Sequence, residues 1–577
     1  MHDIVIRGGI VIDGTGGGPR RADVAVDGDR ITEVGEVSGR GRREIDAAGL
    51  AVTPGWIDIH THLDAQLLWD DEMLQSSVHG VTSVVMGNCG VGIAPVRPAD
   101  RDWILDLLDG VEDISAAAMG DALEFRWETF EEYLDVVDQG RYAFDLGAHV
   151  PHSAVRRFVM GERGGDPTVV ATPDEITAMT TEVERGLRAG AIGVSTSRTV
   201  NHRSRSNGAP IGTMSAAPDE VLGLASACRD TGLGVVQLIS DVYQSSDPGY
   251  VAAELDLVEA LTRLGRPVSM SLLQLDSEPD RYHEVLDRLD QVHAGGGDVW
   301  AQVAPRPIGG VLTADAPRNP LMRSASYRDA MADAPGRRAA RLADAQLRAQ
   351  VVREVQDDIA GGSAPAPDFD RLFPMSDPPD YSPTPDDSMG ALARAAQTSP
   401  VEVLYDVSAA APVDAAVVYT PFANFTSGDL SAIRRMLTSP RALFGLSDSG
   451  AHCTTICDAS FPTFALGYWT RDTALAPLPV EYVVHCQTRR QAAYLGWNDR
   501  GVIAPGYLAD VNIIDLETVG VRRPRLVRDL PQGAPRYLQG ADGYRATLKR
   551  GSVVFEDGEL TDARPGRLVR GRQPSPA

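Results

Sequence analysis

The run Pro54-Gly55-Trp56-Ile57-Asp58-Ile59-His60-Thr61-His62-Leu63-Asp64 ends an apolar stretch with two histidines two residues apart. In an extended strand such residues face the same side, so both imidazoles project together from the strand's end. That spacing makes a two-imidazole metal site. Gly87-Asn88-Cys89-Gly90 follows another apolar run, and its Gly and Asn specify a tight turn. Two roles are open to Cys89: a thiolate ligand, or a small buried hydrophobe. Leu446-Ser447-Asp448-Ser449-Gly450-Ala451-His452 closes a third apolar run. Asp448 either binds the cation and takes a proton from its water, or caps the turn that follows. Its place at the C-terminal end of a strand favours catalysis.

Other chemistries are excluded by composition. The chain holds a single lysine, Lys549, so neither a Schiff base nor a carbamylated-lysine metal bridge is available in the central region. The five cysteines (Cys89, Cys228, Cys453, Cys457, Cys486) are an odd number without a secretion signal, which fits reduced thiols; Cys453 and Cys457 bracket three residues, but no second pair completes a metal clip. With 54 basic and 80 acidic residues, the net charge of -26 repels phosphate backbones and anionic membranes, so no nucleic-acid or membrane partner is expected. Hydrophobic content is 43% without an apolar run of membrane-spanning length, and Met1 to Ile12 lacks a basic head and cleavage site. A cytoplasmic enzyme is the expectation.

These clusters need a scaffold that brings strand ends together. At 577 residues the chain is long enough for one large catalytic domain and an accessory one. The first fifty residues read as short strands broken by turns, as do Gly506 to Ile514 and Tyr544 to Phe555; neither end buries enough alone, so the two are expected to pair. Between them apolar runs alternate with helical segments such as Pro173 to Ala189 and Pro218 to Thr231, the pattern of a parallel α/β sheet. The candidate strands number eight: Val52 to His60, Val81 to Gly87, Phe144 to Val150, Ala191 to Thr196, Gly234 to Ile239, Pro267 to Gln274, Asp298 to Ala304 and Ala442 to Asp448. Eight units suggest a closed barrel. The expected division is 1–52 and 501–577 for the terminal β unit and 53–500 for the barrel, with an insertion at about 316–400. Within it, 361–387 is dense in Pro, Asp and Ser and reads either as a lid or as a surface excursion.

The His60-Thr61-His62 strand end, Gly80-Val81-Thr82 leading into Gly87-Asn88-Cys89-Gly90, and Asp448 together resemble the amidohydrolase superfamily, in its D-aminoacylase (N-acyl-D-amino-acid deacylase) branch. Gly190 to Thr196, Phe461-Pro462-Thr463-Phe464 and Arg500 to Gly506 followed by Ala509-Asp510 extend the likeness over nearly the whole chain. The resemblance implies a distorted (β/α)8 TIM-like barrel beside a small β-sandwich, zinc, and hydrolysis of the amide of an acylated D-amino acid. It also implies that Cys89 stands where other relatives use a carboxylated lysine. Members of the branch place one metal-binding histidine on each of the fifth and sixth strands. Here those stretches read Val235-Val236-Gln237-Leu238-Ile239-Ser240 and Ser269-Met270-Ser271-Leu272-Leu273-Gln274, and both histidines are absent. One divalent cation per chain is therefore expected, held by His60, His62, Asp448 and Cys89.

His152, after the third strand, and His202, after the fourth, are expected to touch substrate, and Arg198 to grip a substrate carboxylate. His452 and His485 read either as structural or as neighbours that support the site residues. Asp448 is expected to take the water's proton and pass it to the leaving amine of a small N-acyl amino acid or related amide; a homo-oligomer is left open. Two other readings stand beside this one: the same site acting on a cyclic amide or imide, a carbamate or a lyase substrate, and an inactive barrel serving as a binding or assembly protein.

Overall fold

The computed structural model describes residues 1–362 and 364–576. Residue 363, in the 361–387 segment, and residue 577, at the end of the C-terminal piece, lie outside them.

Eight parallel strands form the central sheet: Trp56–Asp58 (β1), Val81–Met86 (β2), Asp145–Pro151 (β3), Gly193–Arg198 (β4), Val235–Ser240 (β5), Val268–Ser271 (β6), Val299–Val303 (β7) and Ala442–Phe444 (β8). They lie in sequence order, as right-handed βα units require. Val81 to Met86 are all buried, the mark of a parallel strand covered on both faces. The register is continuous over the longest pairing, from Val235 opposite Gly193 to Ser240 opposite Arg198. Closure is incomplete: beyond the ends of β1 and β8 a single parallel bridge joins Thr61 and Ser449, with the His62 N–H donating to the Ser449 carbonyl at 2.8 Å. The barrel is thus distorted at the seam where His60, His62 and Asp448 lie.

The helices between strands begin and end where the sequence places signals for them. Thr172 and Glu175 form a reciprocal capping box ahead of Pro173–Ala189, which closes on Gly190 in a left-handed conformation. Apolar residues of these helices and the outer strand faces, among them Val150, Val183, Leu187, Leu224 and Val258, belong to one large core.

Both chain ends enter one nine-stranded sheet. Ala51–Pro54 pairs in parallel with His2–Val11 on one side and antiparallel with Val511–Ile514 on the other, and the latter continues to Tyr544–Lys549. Ile6, Val24, Val52, Ile513 and Leu548 bury a common apolar core. The terminal unit is fastened to the barrel by charge. The Lys549 ammonium, fully buried, lies 2.9 Å from Asp145 and 2.8 Å from Asp510, and Asp145 also accepts from Arg500 at 2.7 Å and Arg550 at 2.8 Å. Asp145 opens β3, so this network sits at the end of the barrel opposite the C-terminal strand ends.

The excursion between β7 and β8 runs farther on both sides than the expected 316–400, because Ile308–Thr313 pairs antiparallel with Ala416–Ala423. Such long-range pairing leaves no local trace in sequence. With the helices Ala325–Met331, Ala345–Gly361 and Pro400–Ala410 it encloses a second core of Leu321, Tyr327, Val351, Val355, Leu404 and Val418. In the 361–387 segment, Phe373–Pro374 adds an edge strand, and the buried Tyr381 ring lies 3.7 Å from the Arg306 guanidinium.

Candidate metal centre

Beyond β1 the chain stays extended, and alternation separates Thr61 from its two neighbours. Thr61 is pinned to β2: its N–H and hydroxyl donate to the Val85 carbonyl at 3.0 and 2.9 Å, and the Asn88 amide donates to the Thr61 carbonyl at 3.2 Å. His60 and His62 therefore face away from that contact, into the barrel mouth. Asp58 ties this segment to the loop after β8. It accepts the His60 N–H at 3.1 Å and the Ser447 hydroxyl at 2.5 Å.

Cys89 occupies a left-handed position, φ 55°, next to Gly90 at φ 68° and after Gly87 at φ 74°. A side chain on Gly87 would meet the His149 carbonyl at 2.6 Å, so the turn is closed by backbone contact. The Cys89 N–H donates to the Gln237 amide oxygen at 2.9 Å and the Gly90 N–H to Ser195 at 3.0 Å. The Asp448 loop is strained as well: Leu446, Asp448 and His452 all have positive φ without being glycine.

These three segments converge. Nε2 of His60 lies 3.1 Å from the Cys89 sulfur and 3.2 Å from Asp448 Oδ1, and His62 Nε2 lies 3.7 Å from that same oxygen. Ligand atoms of His60, His62 and Cys89 all lie within 4.8 Å of one another, and all three residues are buried. Donors at about 2.0–2.3 Å around a tetrahedral cation are about 3.3–3.7 Å apart, so the cluster is close to the required size. Among the described residues, Asp448 Oδ1 is buried without a hydrogen-bond partner, an orphaned acceptor aimed at the cluster. Two imidazoles, a thiol and a carboxylate suit a borderline-soft divalent cation. By donor type, spacing and unsatisfied valence, the residues fit a metal.

Electrostatics point the same way. Burial pushes the His60 imidazole down, but the Cys89 sulfur and the Asp448 carboxylate outweigh it and hold the group up at about 9. For His62, burial is likewise overcome, by Glu112, Asp448 and Cys89, and its value stands well above the ordinary one. Asp448 is held well below the usual carboxylate range: His62, His60 and His452 overcome its burial. The pocket is thus anionic enough to keep buried imidazoles protonated, and a bound cation would displace those protons.

Of the residues expected to touch substrate, His202 stands beside the cluster. Its Nδ1 bonds Ser197 at 2.7 Å, and burial followed by the charges of His62 and His452 lowers it to about 3, so it is neutral. His152 and Arg198 are not brought there, and the expectations for both are corrected. His152 uses both ring nitrogens, on Thr196 at 2.8 Å and Glu220 at 3.0 Å. The Arg198 guanidinium is spent on Glu254, with contacts of 2.7, 2.9 and 3.1 Å, and on the Ala216 carbonyl, which leaves no fork for a carboxylate. His452 Nε2 lies 3.9 Å from Asp448, and His485 bonds the Gly14 carbonyl at 2.8 Å.

Sequence reasoning missed three residues. Gln302 on β7 bonds His60 Nδ1 at 2.5 Å, and Glu112 lies 3.2 Å from His62 Nδ1. Gln237 on β5, noted in the sequence only as a missing histidine, holds the Cys89 backbone. Gln237 and Gln302 are polar residues within otherwise apolar strands, a readable signal; Glu112 ends an amphipathic helix and carries none.

Residues 43–555 match the model of the Amidohydrolase family. A D-aminoacylase and an N-acyl-D-aspartate deacylase, both from Alcaligenes xylosoxydans xylosoxydans, are each 39% identical to the chain over 195 residues, 34% of this chain and 37% and 36% of theirs. These alignments span little more than a third of the relatives' length. The fold match is wider. A D-aminoacylase structure, described by its binuclear metal centre with one-metal activation and second-metal attenuation, superposes with a TM-score of 0.65 at 25% identity, covering 99% of this chain and 100% of that one. Since the family match takes in the whole barrel, from His60 to Asp448, and strands of the terminal sheet on either side, the chain belongs to the amidohydrolase family.

Proposed function

We propose that this chain is a metal-dependent hydrolase that cleaves the amide of an N-acyl-D-amino acid, with one divalent cation, zinc, held by His60, His62, Cys89 and Asp448. The observation that carries the proposal is the convergence of the His60, His62 and Cys89 ligand atoms on the unpartnered Asp448 Oδ1. The names of the similar proteins, a D-aminoacylase and an N-acyl-D-aspartate deacylase, support the bond and the configuration. One cation rather than two follows from β5 and β6, which carry Gln237, Ser269 and Ser271 but no imidazole.

A cation held by His60, His62, Cys89 and Asp448 would polarise the scissile carbonyl and lower the pKa of the attacking water. Asp448, ionised at neutral pH, takes the proton that the water gives up and returns it to the nitrogen as the C–N bond breaks, so that a carboxylic acid and a free amine leave. His202, neutral and beside the cluster, contacts the substrate. The site belongs to the barrel, which opens at β1, while the strands up to Pro54 and those from Val511 onward form the terminal β unit, and the enzyme works in the cytoplasm.

The test is metal analysis of the purified chain together with turnover of N-acyl-D-amino acids, their L enantiomers and cyclic imides. One cation per chain with D-selective amide hydrolysis is expected. A chain free of metal, or one acting only on cyclic imides, would overturn the proposal.

A further inference from the structure

The helix Arg101–Glu112 follows β2 outside the barrel, yet its last turn reaches the metal centre. Glu112 is 2% exposed, and its Oε1 lies 3.2 Å from Nδ1 of His62, the ring nitrogen opposite the one that faces Asp448. Among the described residues, neither Glu112 Oε1 nor His62 Nδ1 has an aligned hydrogen-bond partner. A buried carboxylate is costly unless a cation or donor meets it, and the group that Glu112 Oε1 faces is the His62 ring. The next residue joins the same helix end to the Asp448 loop. Asp113, left-handed at φ 53°, accepts the Thr454 N–H at 3.1 Å and the Thr454 and Thr455 hydroxyls at 2.8 and 3.3 Å, while the Glu112 carbonyl accepts the His452 N–H. One helix end therefore touches His62 through a side chain and grips the segment just after Asp448.

We propose that Glu112 is the positioning residue of His62. It accepts the Nδ1–H, fixes the tautomer whose Nε2 lone pair faces Cys89 and Asp448, and makes the imidazole a stronger ligand, while Asp113 holds the loop that carries the carboxylate. The assignment rests on the metal reading above. Partners of this kind typically contribute 10–100-fold to metal affinity.

The experiment is a chelator-competition titration of zinc with the full chain, its Glu112→Gln and Glu112→Leu variants, and the melting temperature of each metal-free protein. Glu112→Leu should weaken zinc by about 10–100-fold and Glu112→Gln by less, since an amide oxygen still accepts the bond but carries no charge. The metal-free Glu112→Leu variant should melt lower than wild type, because the buried His62 loses the anion that faces it, so the affinities are compared at a temperature where all three proteins are folded. Equal zinc affinity in all three proteins overturns the assignment alone, whereas a wild-type chain that takes up no zinc overturns the metal reading and this inference with it. Should Glu112→Leu fail to fold, ring-nitrogen NMR of zinc-loaded wild type decides. Protonated Nδ1 and metal-bound Nε2 are expected for His62, and the reverse would overturn the proposal.

Discussion

The Gln302 amide oxygen accepts the Nδ1–H of His60 at 2.5 Å, and the amide nitrogen of Gln302 in turn donates to Ser269 at 2.9 Å. Since an amide oxygen only accepts, the contact keeps a proton on His60 Nδ1, so that Nε2, which faces Cys89, is the nitrogen that would give up its proton to a cation. Gln302→Leu removes that constraint without adding a charge. Metal affinity should fall by about 10–100-fold, read by chelator competition, and the far-UV spectrum should be unchanged. Affinity equal to wild type would mean that packing alone orients the ring.

Asp448 differs from the other three candidate ligands in its expected share of the chemistry. His60, His62 and Cys89 still offer three donors when its carboxylate is replaced. Asp448→Asn should therefore retain the cation while kcat falls by about 10²–10⁴-fold, the usual cost of losing a general base. Metal content and initial rates on the same preparation check this together. Full activity in the variant would remove Asp448 from the proton's path.

The fold was legible in this chain because its signals are local. Apolar runs such as Val81–Met86 and capping residues such as Thr172 each act within a few residues, and each barrel strand lies within an expected run or overlaps it. The expected Val52 to His60, however, divides at Gly55 into a strand of the terminal sheet and β1, a change of partner that no local signal marks. His60, His62, Cys89 and Asp448 stood out as candidates because each follows the C-terminal end of an apolar run by a few residues. Gln302 and Glu112 did not, because what they do depends on which ring they meet across 242 and 50 residues of chain. Arg198 and His152 misled for a related reason. Their chemistry suits substrate contact, but Glu254 and Glu220, distant in sequence, claim them first.

That claim on Arg198 is measurable. Arg198 and Glu254 are buried together, so removing either strands the other's charge, and each single variant, Arg198→Met or Glu254→Gln, should cost about 3–5 kcal/mol of stability. The pair changed together should cost less than the two single effects added. Denaturant unfolding of the four proteins gives the coupling. KM for an acylated amino acid should change little in any variant that stays folded, and a large rise in KM for Arg198→Met alone would restore the arginine as a carboxylate grip.

At the opposite end of the barrel, Asp145 gathers Lys549, Arg500 and Arg550 around one buried carboxylate. Burial pushes its pKa up, but Lys549, Arg500 and Arg550 overcome this and hold it well below the ordinary 3.8. A carboxyl lowered in the folded state contributes stability that is fully present above its unfolded value. That contribution is lost as the pH falls below about 3.8 towards the folded value. Asp145→Asn should destabilise the chain at neutral pH by about 3–5 kcal/mol, since three cations lose their shared anion. Its unfolding midpoint should also fall less than that of wild type between pH 4 and pH 3, because one group responsible for the acid loss is gone. Zinc content and turnover per folded molecule should be unaffected, Asp145 lying at the start of β3 and the metal centre at the far strand ends. Urea melts at both pH values, with metal analysis alongside, check the three statements; an acid loss as steep as that of wild type would show that carboxylates other than Asp145 govern it.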